Sequence, residues 1–238
     1  MDYFIRIIML KNKSILTCLF FVMGFVFILL DSCSKENSTI ITDNDGNVYH
    51  YVTIGTQVWT VENLKTKKFG NGELIGTTTP ATLDISNEDS PKYQWAFGGY
   101  DTSATKYGRL YTWYTVTDNR NICPAGWHVP SDAEWTTLTT YLGGESVAGG
   151  KLKETGITHW LTPNIGATNE SGFLALPGGS RDYGGSFGNY RHAGTWWSST
   201  STSALDAFSR SMYHDETSTD RSANDKHFGF SVRCVKNN

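Results

Sequence analysis

The chain has 238 residues, with 20 Lys and Arg against 23 Asp and Glu, a net charge of −3, 39% hydrophobic residues and 13% aromatic ones. That length suffices for one large domain or two small ones with a sizeable core, and an acidic balance without a basic cluster argues against a nucleic-acid partner. Long helical patterns are scarce while Gly, Thr, Ser and aromatics abound, so the composition is one of short strands and ordered loops, irregular or β for the most part.

The first 14 residues carry Arg6, Lys11 and Lys13, and Ile15 to Leu30 is an uncharged apolar run of 16 residues. This has the length and flanks of a signal-peptide core and is short for a membrane span. The run ends at Leu30-Asp31-Ser32-Cys33, which resembles a bacterial lipobox. Leu30, Ser32 and Cys33 match it, whereas Asp31 stands where a small or apolar residue is usual. The expectation is cleavage of residues 1–32, acylation of Cys33 and a lipidated tether over 33–41. Each buried CH₂ of an acyl chain contributes about 0.8 kcal/mol, so two or three chains anchor stably. Ser34-Lys35-Glu36-Asn37 resembles the charged tether that sends Bacteroidetes lipoproteins to the outer-membrane surface. Cleavage removes three basic and two acidic residues, so the mature charge is 17 − 21 = −4.

Residues 42 to 64 read as paired strands. Val48, His50, Val52 and Ile54 fall on one face, Gly55-Thr56 makes a turn, and Val58 to Val61 returns. Asp43-Asn44-Asp45-Gly46 gathers oxygen ligands as a calcium loop does, but its twelfth position is Ile54, and an Asp-Gly turn suffices to explain it. Lys65, Lys67 and Lys68 stand isolated on a strand-like stretch. From Phe69 to Pro91 the chain is loop-rich. Tyr107, Tyr111, Trp113 and Tyr114 then crowd together and are expected to form core beside the next helix, the alternative being a sugar-stacking platform.

That helix is the strongest local signal. Pro124 and Pro130 keep Cys123 to Val129 extended or turned. Ser131 is an N-cap with Glu134 three residues on, and Asp132 puts negative charge at the helix start. Trp135, Leu138 and Leu142 recur at helical spacing before Gly143-Gly144, which predicts one well-capped helix over 132–142. Ala148 to Trp160 begins as a short helix or loop, with two glycines against the helix. Strands are expected at 173–176, 194–200, 207–213 and 228–235, the last three forming a core sheet.

Cys123 and Cys234 are the even pair left in the exported domain and are expected to form a disulfide, worth on the order of 4 kcal/mol in the chain-entropy model. No CxxC, HxxxH or HExxH is present, so no metal or other cofactor is implied. Nor is there a GxSxG elbow. The acids Glu134, Glu154, Glu170, Asp182 and Asp215 could meet in space, but nothing in the sequence singles out a catalytic pair.

Several motifs carry a resemblance: Asp45-Gly-Asn-Val-Tyr, Trp59-Thr-Val-Glu-Asn-Leu, Tyr107-Gly-Arg-Leu-Tyr-Thr-Trp-Tyr, Cys123 to Trp135, Gly149-Gly-Lys-Leu-Lys, Ala167-Thr-Asn-Glu-Ser-Gly-Phe, Leu176-Pro-Gly-Gly, Trp196-Trp-Ser-Ser-Thr and Gly229-Phe-Ser-Val-Arg-Cys-Val. In order and spacing they resemble the Fibrobacter succinogenes major paralogous domain over 42–238. Val129 to Trp135 and the terminal Gly-Phe-Ser-Val-Arg-Cys are more distantly similar to formylglycine-generating enzymes. The resemblance implies an exported α+β protein, a single C-type-lectin-like domain of short antiparallel strands, one capped helix and long ordered loops. The copper-holding cysteine pair of the distant enzymes has no counterpart beyond Cys123 and Cys234, which are read as a bridge.

The function expected is that of a non-catalytic binding module for glycan or protein on the cell surface. The alternatives are a structural or adhesive envelope component and, behind it, a hydrolase. Binding residues tend to lie on loops, so the candidate contacts are Arg181, Asp182, Tyr183, Tyr190, Arg191 and His192, set among six glycines between 178 and 194. The membrane partner tests the N-terminal reading directly. In cells fed radiolabelled palmitate, the wild type should carry label and sediment with membranes, and Cys33→Ser should lose both. Equal label in the two proteins would show that Cys33 is not the lipid site.

Overall fold

A computed structural model describes residues 40–238, so the signal peptide at 1–32, Cys33 and most of the tether lie outside the described residues. The last two tether residues are already in β1 (Ile40–Thr42), which pairs with β2 (Val48–Ile54), Ile40 opposite His50. Between them the Asp43 carboxylate accepts from the backbone N–H of Asp45 and Asn47, from the Asn47 amide and from the Tyr49 hydroxyl. These oxygens build the turn, as an Asx turn does. Gly55-Thr56 then turns the chain into β3 (Gln57–Thr60).

Val48, His50, Val52 and Ile54 share a face of β2, but only its second half is covered. Val52 and Ile54 face one core, Tyr49 and Tyr51 face another across the strand, and Val48 and His50 are exposed. A sheet packed on both sides leaves no continuous solvent face for alternation to mark. The sheet runs in the order β1-β2-β3-β12-β6, with β6 at Trp127–His128 and β12 at Val235–Lys236. A second sheet, β9 (Ala193–Ser201), β10 (Asp206–Tyr213) and β11 (Asp220–Asp225), is antiparallel throughout. Two short pairs complete the strands, β4 (Gln94–Trp95) with β5 (Leu110–Tyr111) and β7 (Ser180–Arg181) with β8 (Phe187–Gly188). The fold is mixed α/β with mostly antiparallel sheets. The adjacent Trp197 and Trp196, both fully buried, belong to different cores, the first with Tyr111 and Phe230 and the second with Trp59 and Trp135.

Four short helices are present among the described residues: α1 (Asp101–Tyr107), α2 (Trp113–Val116), α3 (Asp132–Tyr141) and α4 (Glu145–Leu152). The capped helix is α3, one residue shorter than its predicted span. Ser131 accepts from the Glu134 N–H while the Glu134 carboxylate accepts from the Ser131 N–H, a complete capping box. Its Trp135, Leu138 and Leu142 enter the second core, where Trp135 meets Trp59 at 4.8 Å between ring centroids. The Tyr111 group does not pack beside it, contrary to expectation. Tyr111 and Trp113 lie in the first core. In α4 the glycines that weaken a helix are required by packing, since a Cβ on Gly149 would stand 1.9 Å from the Ser218 carbonyl oxygen and one on Gly150 2.5 Å from that of Gly166.

Two strand expectations are corrected. Residues 173–176 form no strand because Leu174 has φ +53°, outside the extended region, and only Ala175 bridges, to Lys153. The third strand beside β9 and β10 is β11, whose Asp-Arg-Ser-Ala-Asn-Asp sequence has no apolar pattern to reveal an exposed edge. Residues 228–235 instead run between elements. Gly229 bridges to Arg181, Phe230 to Tyr111 and Ser231 to Trp196, before Val235 pairs with both Trp59 and His128. The Cys123–Cys234 disulfide is present, with Cα atoms 6.0 Å apart across a sequence separation of 111.

Asp132, beside the cap, accepts from Arg210 Nη1 at 2.7 Å and Arg221 Nη2 at 2.9 Å, and the Arg210 side chain is wholly buried. Burial pushes the Asp132 carboxyl up, but the hydrogen bonds from Arg221 and Arg210 outweigh it and hold the carboxyl below its ordinary value. Asp132→Ala leaves the Arg210 charge without that partner and should destabilise by about 3 kcal/mol at pH 7. Because the folded pKa lies below the unfolded one of about 3.9, this difference is complete above about pH 5 and is lost as the pH falls through the unfolded and then the folded value. Urea midpoints of both proteins at pH 7 and pH 3 check the size and the sign.

Candidate functional site

Arg109 is placed by a forced turn. Helix α1 ends at Tyr107, and Gly108 (φ +78°) packs where a Cβ would be 2.6 Å from that of Asn63. The next residue, Arg109, is 6% exposed. Its Nη1 donates to Gln94 Oε1 at 2.7 Å, on the strand paired with β5, and its Nη2 donates to the carboxylate of Asp101, the first residue of α1. The Arg109 guanidinium holds the Asp101 carboxyl below its ordinary value, and Lys67 Nζ lies 3.4 Å from the other Asp101 oxygen.

Two adjoining cavities of about 410 and 360 Å³ share Lys67, Asp101 and Arg109. The first adds Asp45, Asn47, Lys65 and Thr105, and the second adds Thr77 to Ala81 and Trp95. Burial raises the Asp45 carboxyl, but hydrogen bonds from the Lys67 backbone, Lys68 and Thr66 leave it below its ordinary value. Both acids in the lining are thus ionised and already paired. The Lys65 ammonium, by contrast, meets no partner among the described residues.

Of the expected contacts, Arg181 braces this cleft from behind. Trp95 Nε1 donates to Thr78 Oγ1 at 2.9 Å, and the Arg181 guanidinium lies 4.0 Å from the centroid of the same indole. Arg181 is fully buried, and its donors go to the carbonyls of Ala81, Asp182 and Leu83. Asp182 Oδ1 accepts from the Ser186 N–H to shape a turn, and the Tyr183 carbonyl accepts from the Ile85 N–H. The Tyr190 ring stacks at 4.9 Å on Phe97, which begins the 3₁₀ turn Phe97–Gly99 ahead of Asp101. Arg191 and His192 serve another junction. The Arg191 guanidinium donates to the carbonyls of Ile157, Thr158, His159 and Trp160, and the His192 ring lies against that of His214. None of the six lines either cavity.

Lys67, Asp101 and Arg109 were not anticipated as a site. A charged residue inside the aromatic Tyr107-Gly-Arg-Leu-Tyr motif was the available signal, because an arginine among core positions needs a specific acceptor. The acids weighed for catalysis are engaged separately, Glu134 with Ser131 and His128, Glu154 with His159, Glu170 with Lys151, and Asp182 in its turn, while Asp215 lies 3.9 Å from His214. Among the described residues, no group of three or more His, Cys, Asp and Glu could hold a metal ion, and no helix is long and apolar enough to cross a membrane.

A family model described as the Fibrobacter succinogenes major domain matches residues 52–236. No curated protein and no solved structure matches the chain.

The back wall offers a direct test. Gly185 has φ +97°, and a Cβ there would stand 2.0 Å from the Thr82 carbonyl oxygen, whereas Gly72 has φ +90° with nothing within 4 Å. Gly72→Ala should cost about 1 kcal/mol through backbone conformation alone. Gly185→Ala should cost about 2 kcal/mol more than that, because the wall itself must shift. Denaturant midpoints of the two variants compare the costs, and equal losses would mean that the turn is not clamped to the wall.

Proposed function

For a chain that belongs to the Fibrobacter succinogenes major domain family, we propose the role of a non-catalytic binding module, anchored at the outer-membrane surface through Cys33, whose polar cleft receives a glycan or protein. The observation that carries this reading is the cleft around Arg109. Its charged groups are fixed in place by Gln94 and Asp101, its wall is braced by the buried Arg181, and it opens to solvent beside the exposed Thr77 and Thr79. Binding favours such preorganised polar groups, because little ordering remains to oppose association.

The finer fold reading, a C-type-lectin-like domain, belongs to the same proposal. It is supported by short antiparallel strands, long ordered loops and a disulfide tying the final strand to the turn before the capped helix. A structural or adhesive envelope role is the competing reading. It is favoured by the fact that family-motif residues such as Trp59, Asn63, Trp196 and Arg233 are buried scaffold.

A glycan and protein array probed with the whole chain in detergent separates the two. A binding module should retain a ligand, and Lys67→Glu in the cleft should abolish retention while Lys236→Glu, on the exposed end of β12, should not. An empty array, or retention indifferent to Lys67→Glu, would favour the envelope role.

A further inference from the structure

The charges of the cleft select among ligands. Arg109 uses two of its five N–H donors, one on Nη1 for Gln94 and one on Nη2 for Asp101, which leaves Nε–H and one N–H on each terminal nitrogen without an acceptor among the described residues. The Lys65 ammonium lines the same cavity and is equally free of partners there. The two lining carboxylates occupy none of these remaining donors, since Asp101 is held by Arg109 and Lys67 and Asp45 by Lys68, Thr66 and the Lys67 backbone, although both still lower the positive charge of the cleft. Lys65 and the largely buried Arg109 guanidinium therefore line a cleft with cationic donors to spare, in a chain whose net charge is −3.

We propose that this cleft recognises the carboxylate of an acidic sugar, a hexuronate unit within a polysaccharide, with Arg109 and Lys65 as the carboxylate receptors. The proposal rests on the binding-module reading and adds the ligand class. A guanidinium with free donors on neighbouring nitrogens matches a planar carboxylate two bonds at a time, which a lone ammonium does not. A monoanion fits better than a dianionic phosphate, because Asp45 and Asp101 stand in the same lining and repel each added negative charge. A sugar fits better than an acidic peptide because the wall beside Arg109 presents the hydroxyls of Thr77 and Thr79. Both residues are exposed, and neither hydroxyl has a hydrogen-bond partner among the described residues. Pro80 and Ala81 offer an apolar strip beside them for the C–H face of a pyranose ring.

The test is calorimetric titration of the whole chain in detergent with tetragalacturonate, its fully methyl-esterified form, cellotetraose and poly-L-glutamate. Tetragalacturonate should bind. The methyl ester, which keeps the skeleton and removes the charge, should bind at least tenfold more weakly. Lys65→Gln should weaken tetragalacturonate about fivefold and Arg109→Lys about tenfold, with folding of each variant verified by near-UV circular dichroism. Lys65 is only partly buried, so its variant keeps the proposal testable should Arg109→Lys fail to fold. Equal binding of acid and ester, or binding of cellotetraose alone, would overturn the carboxylate assignment while leaving the binding module standing. Poly-L-glutamate binding as tightly as the uronate would overturn the sugar assignment. No binding of any of the four probes, together with an empty array, would overturn both readings.

Discussion

The structure depends on one buried cation held without an acid. Arg233 is fully buried; its Nε donates to Asn63 Oδ1 at 2.7 Å, its Nη1 to the carbonyls of Thr60, Val61 and Phe173, and its Nη2 to that of Leu174 at 2.9 Å. Among the described residues no carboxylate forms an ion pair with it, and burial pushes the guanidinium down to about 9, which still leaves it charged at neutral pH. A buried charge is tolerated only when its donors are satisfied, and here backbone dipoles satisfy them. The arrangement therefore ties the end of β3, the 173–174 turn and the C-terminal segment into one geometry. Asn63 extends the tie, because its Oδ1 also accepts from Trp196 Nε1 at 2.8 Å and its Nδ2 donates to the Tyr107 carbonyl at 2.8 Å.

The buried network also sets the candidate site. The Tyr107 carbonyl bonded by Asn63 is the last of α1, and Gly108 packs against Asn63 directly, so Arg109 leaves the scaffold in a fixed direction. Cys234, next to Arg233, carries the disulfide to Cys123 ahead of the capped helix. Many of the motif residues shared with the family are accounted for by this scaffold: Trp59 and Asn63 before the first long loop, Trp196 in β9, and Arg233 and Cys234 at the end. Such motifs specify how the loops are mounted.

The same division accounts for the packing of the glycine-rich segment at 178–194. Polar and aromatic residues among glycines read as a flexible contact surface, because glycine permits turns and polar side chains prefer solvent. Here the glycines permit backbone to approach backbone, with a Cβ on Gly179 placed 2.5 Å from the Gly188 carbonyl oxygen, and the guanidinium groups of Arg181 and Arg191 serve as donors to carbonyls of neighbouring loops. The planar fork of arginine reaches several acceptors at once, and the buried Lys153 ammonium does the same work at the carbonyls of Ile165, Tyr213 and Glu216.

The capped helix, the Asp-Gly turn and the hairpin at Gly55-Thr56 were legible from the sequence because each depends on residues within a few positions of one another. The disulfide was legible because two cysteines allow only one pairing, and the family because its motifs keep their order along the chain. Tertiary structure decided the rest. β11 is polar and becomes a strand only by pairing with β10. Residues 228–235 are apolar, yet they distribute their bridges among several elements. Lys65, Gln94, Asp101 and Arg109 form a cleft only after the Asn63 and Arg233 network has fixed where α1 ends and β5 begins. Local signals act through the backbone of neighbouring residues. A site assembled from distant residues is set by which buried donors find which acceptors, and that is settled only when the whole core closes.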